Sequence, residues 1–450
     1  MPFNACFRSL CLGLSLAGVS SANAEDWSRF RGPNGTGVTA DSAPTTWSDS
    51  EGIKWKVELP GFGVSSPIVV GELAFVTCYS GYGTPQENGT MSDLKRHLVA
   101  VERSTGKVLW TKTIDAVLPE DPYEPPGVTS HGYASHTPAS DGKLVYAFFG
   151  KSGVYAFDLE GNEVWKAEVG TGSGPQRWGS AASPLVHENL VVVTAAEESE
   201  SIVALDKSTG KTVWTAAAEG LQSTWGTPIV ASTDKGPELV VSVPGEVWGF
   251  NLATGKLRWF SRGTSDSSAS TSLAIEEGVV YAVGGRGGDA VAVKVGGKGD
   301  VNDSSVVWDA NIQGRFASPV AFKGHLYTVN NDVVSCFNAA TGEQVYQERL
   351  PAAPSSTATN APAPASPEGG GRRGGGRMGG GQYSSPILAD GKLYVTLKSG
   401  VVHVLEASPT YKVLATNVIT GDATGFDATP AVSNGELFLR SGKYLYCIAE

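Results

Sequence analysis

Residues 204–214, ALDKSTGKTVW, are the clearest copy of a unit that recurs along the whole chain. Related copies are AVERSTGKVLW at 100–110, AFDLEGNEVW at 156–165, GFNLATGKLRW at 249–259 and CFNAATGEQVY at 336–346. Most copies place Asp or Asn at the start of a turn and Gly near its end, the residue order that tight turns favour. The unit therefore predicts two β-strands joined by a turn, with an aromatic residue in the second strand.

A longer repeat surrounds each copy of this unit. It begins at Ser or Thr, usually followed by Pro, and contains four short strand-like segments. Counted from this Pro, or from the Ser where Pro is absent, the repeats start at Pro67, Pro138, Pro184, Pro228, Ser272, Pro319, Pro386 and Pro430. Five of the seven intervals are 44 to 47 residues long, and the other two contain insertions. A period of about 45 residues with four strands is typical of a β-propeller blade.

The last repeat is incomplete, because Thr429 to Ala449 supply only three strands. The segment GIKWKVEL at 52–59 has the pattern of the missing fourth strand, with Trp55 at the aromatic position. Pairing these segments leaves no open sheet edge in the ring. The sequence therefore predicts an all-β fold, an eight-bladed β-propeller closed by pairing of the N- and C-terminal strands in one blade.

The aromatic residue of each unit is expected to pack between neighbouring blades rather than to stack on a cofactor. This structural docking position is occupied by Trp55, Trp110, Trp165, Trp214, Trp259 and Trp308.

The N-terminus has the residue order of an export signal. Arg8 precedes an apolar run at 10–19, and the small residues Ala22, Asn23 and Ala24 follow it. This order predicts a signal peptide cleaved near Ala24 and a periplasmic or secreted mature protein. The apolar run is too short to span a bilayer as a helix, so we expect no transmembrane segment.

The sequence divides into four parts. We expect a signal peptide at 1–24, an N-terminal cap segment at 25–51 and the propeller at 52–450. A Pro-, Gly- and Arg-rich insertion at 352–382 cannot bury a core, and we expect it to be disordered.

The composition excludes several classes. With 18% charged residues, 57 glycines and 25 prolines among 450 residues, a coiled coil or a helical bundle is disfavoured. The net charge of -11 argues against nucleic-acid binding, which depends on clustered cations.

After removal of the signal peptide, three cysteines remain, namely Cys78, Cys336 and Cys447. This odd set is no disulfide framework, and we interpret the three as small buried residues on strands, although one pair could bridge.

Few residues in the sequence are candidates for a catalytic or metal-binding site. Glu197, Glu198 and Glu200 form an acidic cluster at a strand end, which we interpret as a solvated turn. His131 and His136 are close in sequence, and we expect loop hydrogen bonding there rather than a metal site. No G-x-S-x-G nucleophile motif is present. We therefore predict no catalytic residue and no metal ligand.

The segments that lead into the inner strands are the better candidate site. In a propeller these segments cluster at one end of the central channel, and here they carry large aromatic and charged residues. Such residues favour an extended peptide or an anionic group, although each one could instead plug the channel or pack between blades. The candidate binding residues are Tyr133, Arg177, Trp178, Trp225, Arg315, Phe316, Tyr383, Phe426 and Asp427.

The repeats resemble those of the pyrroloquinoline-quinone (PQQ) propeller family, whose docking motif is Ala-x-Asp-x-x-Thr-Gly-x-x-x-Trp, as at 204–214. That family contains quinoprotein alcohol and glucose dehydrogenases, and also non-catalytic propellers such as the periplasmic subunit of the outer-membrane protein assembly machine. The resemblance implies that a catalytic member binds PQQ with calcium, commonly against a vicinal disulfide. No two cysteines are adjacent here, and no C-x-x-C-H haem motif occurs.

These observations favour an exported, non-catalytic scaffold that binds another protein or a cell-envelope ligand without any cofactor. We expect it to be a monomer. The alternative is a PQQ- and calcium-dependent dehydrogenase with a divergent site, and a lectin-like propeller is a third possibility. The dehydrogenase requires three or more oxygen ligands facing an aromatic floor, whereas the scaffold predicts a channel mouth without a carboxylate cluster.

Overall fold

The computed structural model describes residue 1 and residues 26–84, 89–285, 287–352 and 381–450. The expected signal peptide and nearly all of the expected insertion lie outside the described residues. The described residues form eight sheets, each built around four antiparallel strands. The all-β, eight-bladed propeller predicted from the sequence is confirmed.

Blades 1 to 4 follow one another along the chain. Their strands are Ile68–Val70, Leu73–Ser80, Lys95–Glu102 and Val108–Asp115; Ala139–Ser140, Leu144–Phe148, Val154–Asp158 and Glu163–Ala167; Leu185–His187, Leu190–Ala195, Ser201–Asp206 and Thr212–Ala217; and Ile229–Ala231, Glu238–Val243, Glu246–Asn251 and Leu257–Arg262. A short strand, Gly299–Asp300, runs parallel to the outer strand of blade 4.

Blades 5 to 8 complete the ring. Their strands are Ala274–Glu276, Val279–Val283, Asp289–Lys294 and Val306–Asn311; Val320–Phe322, His325–Asn330, Val333–Asn338 and Gln344–Arg349; Ile387–Ala389, Lys392–Thr396, Val401–Glu406 and Val413–Val418; and Ala431–Ser433, Glu436–Arg440 and Tyr444–Ile448 with Ile53–Glu58. In blade 8 the N-terminal strand Ile53–Glu58 pairs antiparallel with Tyr444–Ile448, which confirms the predicted closure.

Helices are short in the described part of the chain. Two α-helical turns, Ala196–Ser199 and Asn302–Ser305, and four 3₁₀ turns connect the strands. The 3₁₀ turns are Met91–Asp93, Val128–Ser130, Gly150–Ser152 and Glu219–Leu221.

Five of the six docking tryptophans join their blade to the next. The indole N–H of Trp214 in blade 3 donates to the carbonyl of Leu252 in blade 4 at 3.0 Å, and Trp165 bonds Lys207 in the same way at 2.9 Å. Equivalent bonds run from Trp55, Trp110 and Trp308 to Arg103, Leu159 and Ala339. Trp259 differs, because its indole donates within its own blade to the carboxylate of Glu238 at 2.8 Å.

The glycine of the turn makes this docking possible. Gly255 has a φ of +68°, and a Cβ atom at this position would lie 2.4 Å from the ring of Trp214. We expect Gly255→Ala to lower the free energy of unfolding by about 2 kcal/mol, because the added methyl group meets both a strained backbone and the indole. Denaturant unfolding measures the change. Gly245→Ala is the control, since Gly245 has a φ of +81° but open space around it. An equal loss in both variants would contradict the role of the indole contact.

The outer strand of every blade contains a β-bulge. The extra residue stands immediately before the docking position, as Val164 does before Trp165. The extra residues are Lys54, Leu109, Val164, Val213, Arg258, Val307, Val345 and Leu414. A bulge bends and twists an exposed edge, which makes it a poor template for pairing with another chain.

The three cysteines of the propeller are free and buried. Cys78, Cys336 and Cys447 each lie on a strand, so the interpretation of these residues as small core side chains is confirmed.

Candidate binding site

A closed ring of hydroxyl groups surrounds the central channel. Each blade contributes the Ser or Thr that precedes its innermost strand, and its backbone N–H donates to the hydroxyl oxygen of the next blade at 2.9–3.0 Å. The eighth bond, from Thr429 to Ser66, returns to the start. The members of this hydroxyl ring are Ser66, Thr137, Ser183, Thr227, Ser272, Ser318, Ser385 and Thr429.

A second layer lies directly above the hydroxyl ring. In an extended segment alternate residues face the same side, so the residue two positions before each ring member also faces the channel. The residues of this wall layer are Val64, Ser135, Ala181, Trp225, Ser270, Phe316, Tyr383 and Asp427. Both layers line one cavity of about 220 Å³ at the mouth of the channel.

The N-terminal segment forms the floor of this cavity. The carbonyl of Trp27 accepts from Val69 in blade 1, and the guanidinium of Arg31 donates to the carbonyls of Leu273 and Pro319, which precede the inner strands of blades 5 and 6. Arg31 is fully buried, which lowers its pKa to about 9. Between these contacts, Phe30 lines the bottom of the cavity. These contacts lie at residues that follow the ring members, whereas the wall layer precedes them, so the segment crosses the channel on the opposite side of the hydroxyl ring from the wall layer.

Two stacked aromatic pairs line the cavity. The rings of Trp178 and Trp225 lie 5.4 Å apart at an interplanar angle of 21°, next to blades 3 and 4. The rings of Phe316 and Tyr383 lie 4.5 Å apart at 16°, next to blades 6 and 7. The indole of Trp225 also donates to the carbonyl of Gly179 at 2.8 Å. Because each pair stacks internally, the four rings present a preformed apolar wall.

The two charged side chains that line the cavity, Arg315 and Asp427, differ in their ionic partners. Arg315 lies over the ring of Phe316 at 4.8 Å and forms no ion pair with any described residue. Asp427 pairs with Lys398 at 3.0 Å through Oδ2. Its other oxygen, Oδ1, is buried and has no hydrogen-bond partner among the described residues, and burial raises the pKa of this carboxyl group. The Asp427 charge is thus compensated, whereas that of Arg315 is not.

A polar cleft of about 160 Å³ continues from the cavity between blades 4 and 5. It shares Trp178, Arg315 and Phe316 with the cavity and adds Gln176 and Asp266. Several hydroxyl groups complete its lining, namely Ser242, Thr264, Ser267, Ser268, Ser270 and Thr271.

The structure brings together six of the nine candidate binding residues. Those that line the cavity are Trp178, Trp225, Arg315, Phe316, Tyr383 and Asp427. The other three lie elsewhere in the structure. Tyr133 is buried among Tyr79, Tyr82 and Tyr123, Arg177 lies 3.7 Å from Asp121, and Phe426 is buried against Tyr446.

Sequence reasoning missed Phe30, Ser135, Ser270 and His131, which also line the cavity. Counting two positions back from each ring member identifies Ser135 and Ser270. His131 bonds to the hydroxyl of Ser135 at 2.6 Å and to the carbonyl of Trp178 at 2.8 Å, and burial lowers its pKa. It therefore positions the Trp178 segment as a neutral side chain.

The interpretation of the acidic cluster as a solvated turn is wrong for two of its members. Glu197 is only 4% exposed and Glu198 only 5% exposed, because the segments over blades 2 and 3 cover them. Ser180 donates to Glu198, and the backbone of Ser223 donates to Glu197 at 2.8 Å. Burial raises the pKa of both carboxyl groups to about 7. Nearby, His136 bonds Ser180 at 3.1 Å, and burial lowers its pKa to about 3.

The donor set of the cavity does not fit a calcium–quinone centre. Calcium takes six to eight oxygen ligands, usually including several carboxylates. In the part of the chain that the structure describes, Asp427 is the only carboxylate that lines the cavity, and it is already paired with Lys398. No group of three or more His, Cys, Asp or Glu residues suited to a metal occurs among the described residues.

Fold and site together define a PQQ-type propeller with a preformed cavity in its channel. The family described as outer membrane protein assembly factor BamB matches residues 34–174 and 94–348, and the chain belongs to this family. No curated protein matches the chain significantly in sequence. Within the described residues, no helix is long and apolar enough to cross a membrane.

Solved structures share the fold at low identity. BamB from Moraxella catarrhalis is 13% identical, with a TM-score of 0.55, over 88% of this chain and 99% of that one. A europium-containing methanol dehydrogenase is 12% identical, with a TM-score of 0.65, over 95% and 98% of the two chains. Quinohemoprotein alcohol dehydrogenase from Comamonas testosteroni is 12% identical, with a TM-score of 0.63, over 94% and 80%. These similarities concern the fold alone.

Proposed function

We propose that this protein is a non-catalytic binding propeller of the cell envelope that acts as a monomer and holds a segment of a partner protein in the channel mouth. The observation that carries this proposal is the cavity, which is lined by two stacked aromatic pairs and an arginine without an ionic partner among the described residues. Aromatic and arginine side chains dominate the energetics of protein interfaces. The family match and the export-like N-terminus support a location in the envelope.

The alternative is a PQQ- and calcium-dependent dehydrogenase. The paired Asp427 and the absence of a second carboxylate among the described residues of the cavity argue against it. Calorimetric titration with PQQ and calcium, followed by a dye-linked alcohol and aldose oxidation assay, distinguishes the two functions. We expect no turnover, and turnover would overturn the proposed function.

The site is tested with two peptide display libraries, one with peptides inside a constrained loop and one with a free C-terminal end. We expect binders to the purified protein to lose at least tenfold in affinity for Trp225→Ala, because this change removes one stacked pair from the wall. Trp248→Ala is the matched control, since Trp248 packs on Phe250 in the same blade and does not line the cavity. Binders unaffected by Trp225→Ala, or equally affected by both changes, would place the binding site elsewhere.

A further inference from the structure

We infer that the occupant of the cavity is the C-terminal end of a polypeptide, with its free carboxylate on Arg315 and a backbone N–H on Asp427. This inference rests on the proposed function and specifies its ligand. Four features of the cavity support it: the closed floor, the cation, the buried acceptor and the hydroxyl donors.

The closed floor selects a chain end over an internal loop. Phe30 lines the bottom, and the contacts of Arg31 with blades 5 and 6 hold the segment across the channel. A chain therefore cannot pass through. An internal loop would have to enter and leave by the same mouth, which requires two strands side by side at about 5 Å. A cavity of about 220 Å³ has room for a single chain end more readily than for both arms of a loop.

The cation selects an anionic group. Arg315 lines both the cavity and the adjoining cleft, and no carboxylate among the described residues pairs with it. Its guanidinium presents a planar fork of donors that matches a carboxylate in two parallel hydrogen bonds. The compensated pair of Asp427 and Lys398 adds no net charge, so the described cavity wall carries one excess positive charge.

The buried acceptor in the same cavity favours a ligand that also carries a hydrogen-bond donor. Asp427 Oδ1 lacks a partner among the described residues although its side chain is only 9% exposed. A buried acceptor without a donor is unfavourable, so a ligand that supplies an N–H there gains affinity. A polypeptide chain end carries both kinds of group, a terminal carboxylate and backbone N–H donors.

The hydroxyl ring supplies further donors. Each ring hydroxyl accepts a backbone hydrogen bond, and none donates its own proton to another described residue. The protons of these hydroxyls are therefore available to the carbonyl and carboxylate oxygens of a chain end, directly or through water. The stacked pairs beside them provide apolar contact for the terminal side chain, which predicts a preference for aromatic or large aliphatic residues.

The test uses the binders selected from the free-end library, synthesised once with a free C-terminal carboxylate and once as the C-terminal amide. Calorimetry with the full-length mature protein should show at least tenfold tighter binding of the carboxylate form, which corresponds to about 1.4 kcal/mol. Arg315→Gln should remove this difference between the two forms. Arg262→Gln is the matched control, because Arg262 pairs with Asp309 on the outer surface and does not line the cavity.

The outcomes separate the inference from the proposed function. Equal binding of both forms in wild type, or binders only from the loop library, overturns the chain-end inference while Trp225-dependent binding keeps the proposed function intact. Preference for the carboxylate that persists in Arg315→Gln overturns the assignment of Arg315. Binding that does not depend on Trp225 overturns both.

Discussion

Replacing Arg103 by methionine lowers the free energy of unfolding by about 3 kcal/mol, because it leaves a buried carboxylate without its main partner. Arg103 in blade 1 pairs with Glu436 in blade 8 at 2.6 Å and donates to the carbonyl of Ser433 at 2.6 Å. Arg103 and Glu436 are only 7% and 9% exposed. These contacts join the last blade to the first, where the ring closes. Lys54 also lies 2.6 Å from Glu436 and still compensates part of the Glu436 charge in the variant. The loss of stability is therefore expected at the lower end of the range for a broken buried ion pair.

Denaturant unfolding at neutral pH measures this loss. Arg262→Met provides the control, because the pair of Arg262 and Asp309 is largely exposed and contributes less than about 1 kcal/mol. Combining Arg103→Met with Glu436→Gln should recover part of the stability, since the uncompensated charge is then removed. A loss below about 1 kcal/mol for Arg103→Met would show that the contact between blades 8 and 1 does not depend on this ion pair.

Replacing Glu198 by glutamine should remove a loss of stability that the wild type undergoes as the pH rises from about 4.5 to about 7. Burial raises the pKa of Glu198 from 4.5 to about 7, so the folded protein binds this proton more tightly than the unfolded chain does. Stability must therefore fall as the pH rises from about 4.5 to about 7, and the whole loss is present above that range. The raised pKa corresponds to about 3 kcal/mol. Relative to wild type, Glu198→Gln should gain about this amount between pH 4 and pH 8.5.

Thermal or denaturant unfolding of both proteins across this pH range tests the prediction. Glu163→Gln is the control, because Glu163 is an exposed carboxylate in blade 2. The low pKa of His136, about 3, acts in the opposite direction below pH 6.5, but it is common to all three proteins and cancels in the comparison. Parallel pH profiles for Glu198→Gln and wild type would refute the assignment of a buried, proton-binding Glu198.

The fold was predictable because local and long-range signals coincide in each repeat. The turn residues, the apolar strands and the docking aromatic recur together, and the incomplete last repeat identified Ile53–Glu58 as the closing strand. The β-bulges were not predicted. The extra residue is apolar in six blades, as is Val164 although it is 47% exposed, and charged in the other two, so side-chain polarity gives no sign of it.

The site was predictable only in part, for a reason of register. Trp225, Phe316, Tyr383 and Asp427 stand two positions before a ring member, so strand alternation points them into the cavity. Phe426 stands three positions before its ring member, outside this alternation, and packs in the protein interior. Tyr133 stands four positions before its ring member and is buried as well, so alternation alone does not predict its position. The cover over Glu197 and Glu198 comes from irregular segments, and no periodic pattern predicts how such segments fold over a strand end.

The floor of the cavity has a consequence for the order in which the protein folds. The N-terminal segment contacts blades 1, 5 and 6, and the strand that follows it pairs with Tyr444–Ile448 at the far end of the chain. During synthesis these first residues emerge long before their partners exist. Contacts between such distant parts of a chain form late, because loop closure must precede them. A propeller that lacks its last blade therefore has aromatic wall residues but no floor, and its cavity is complete only when that blade is in place.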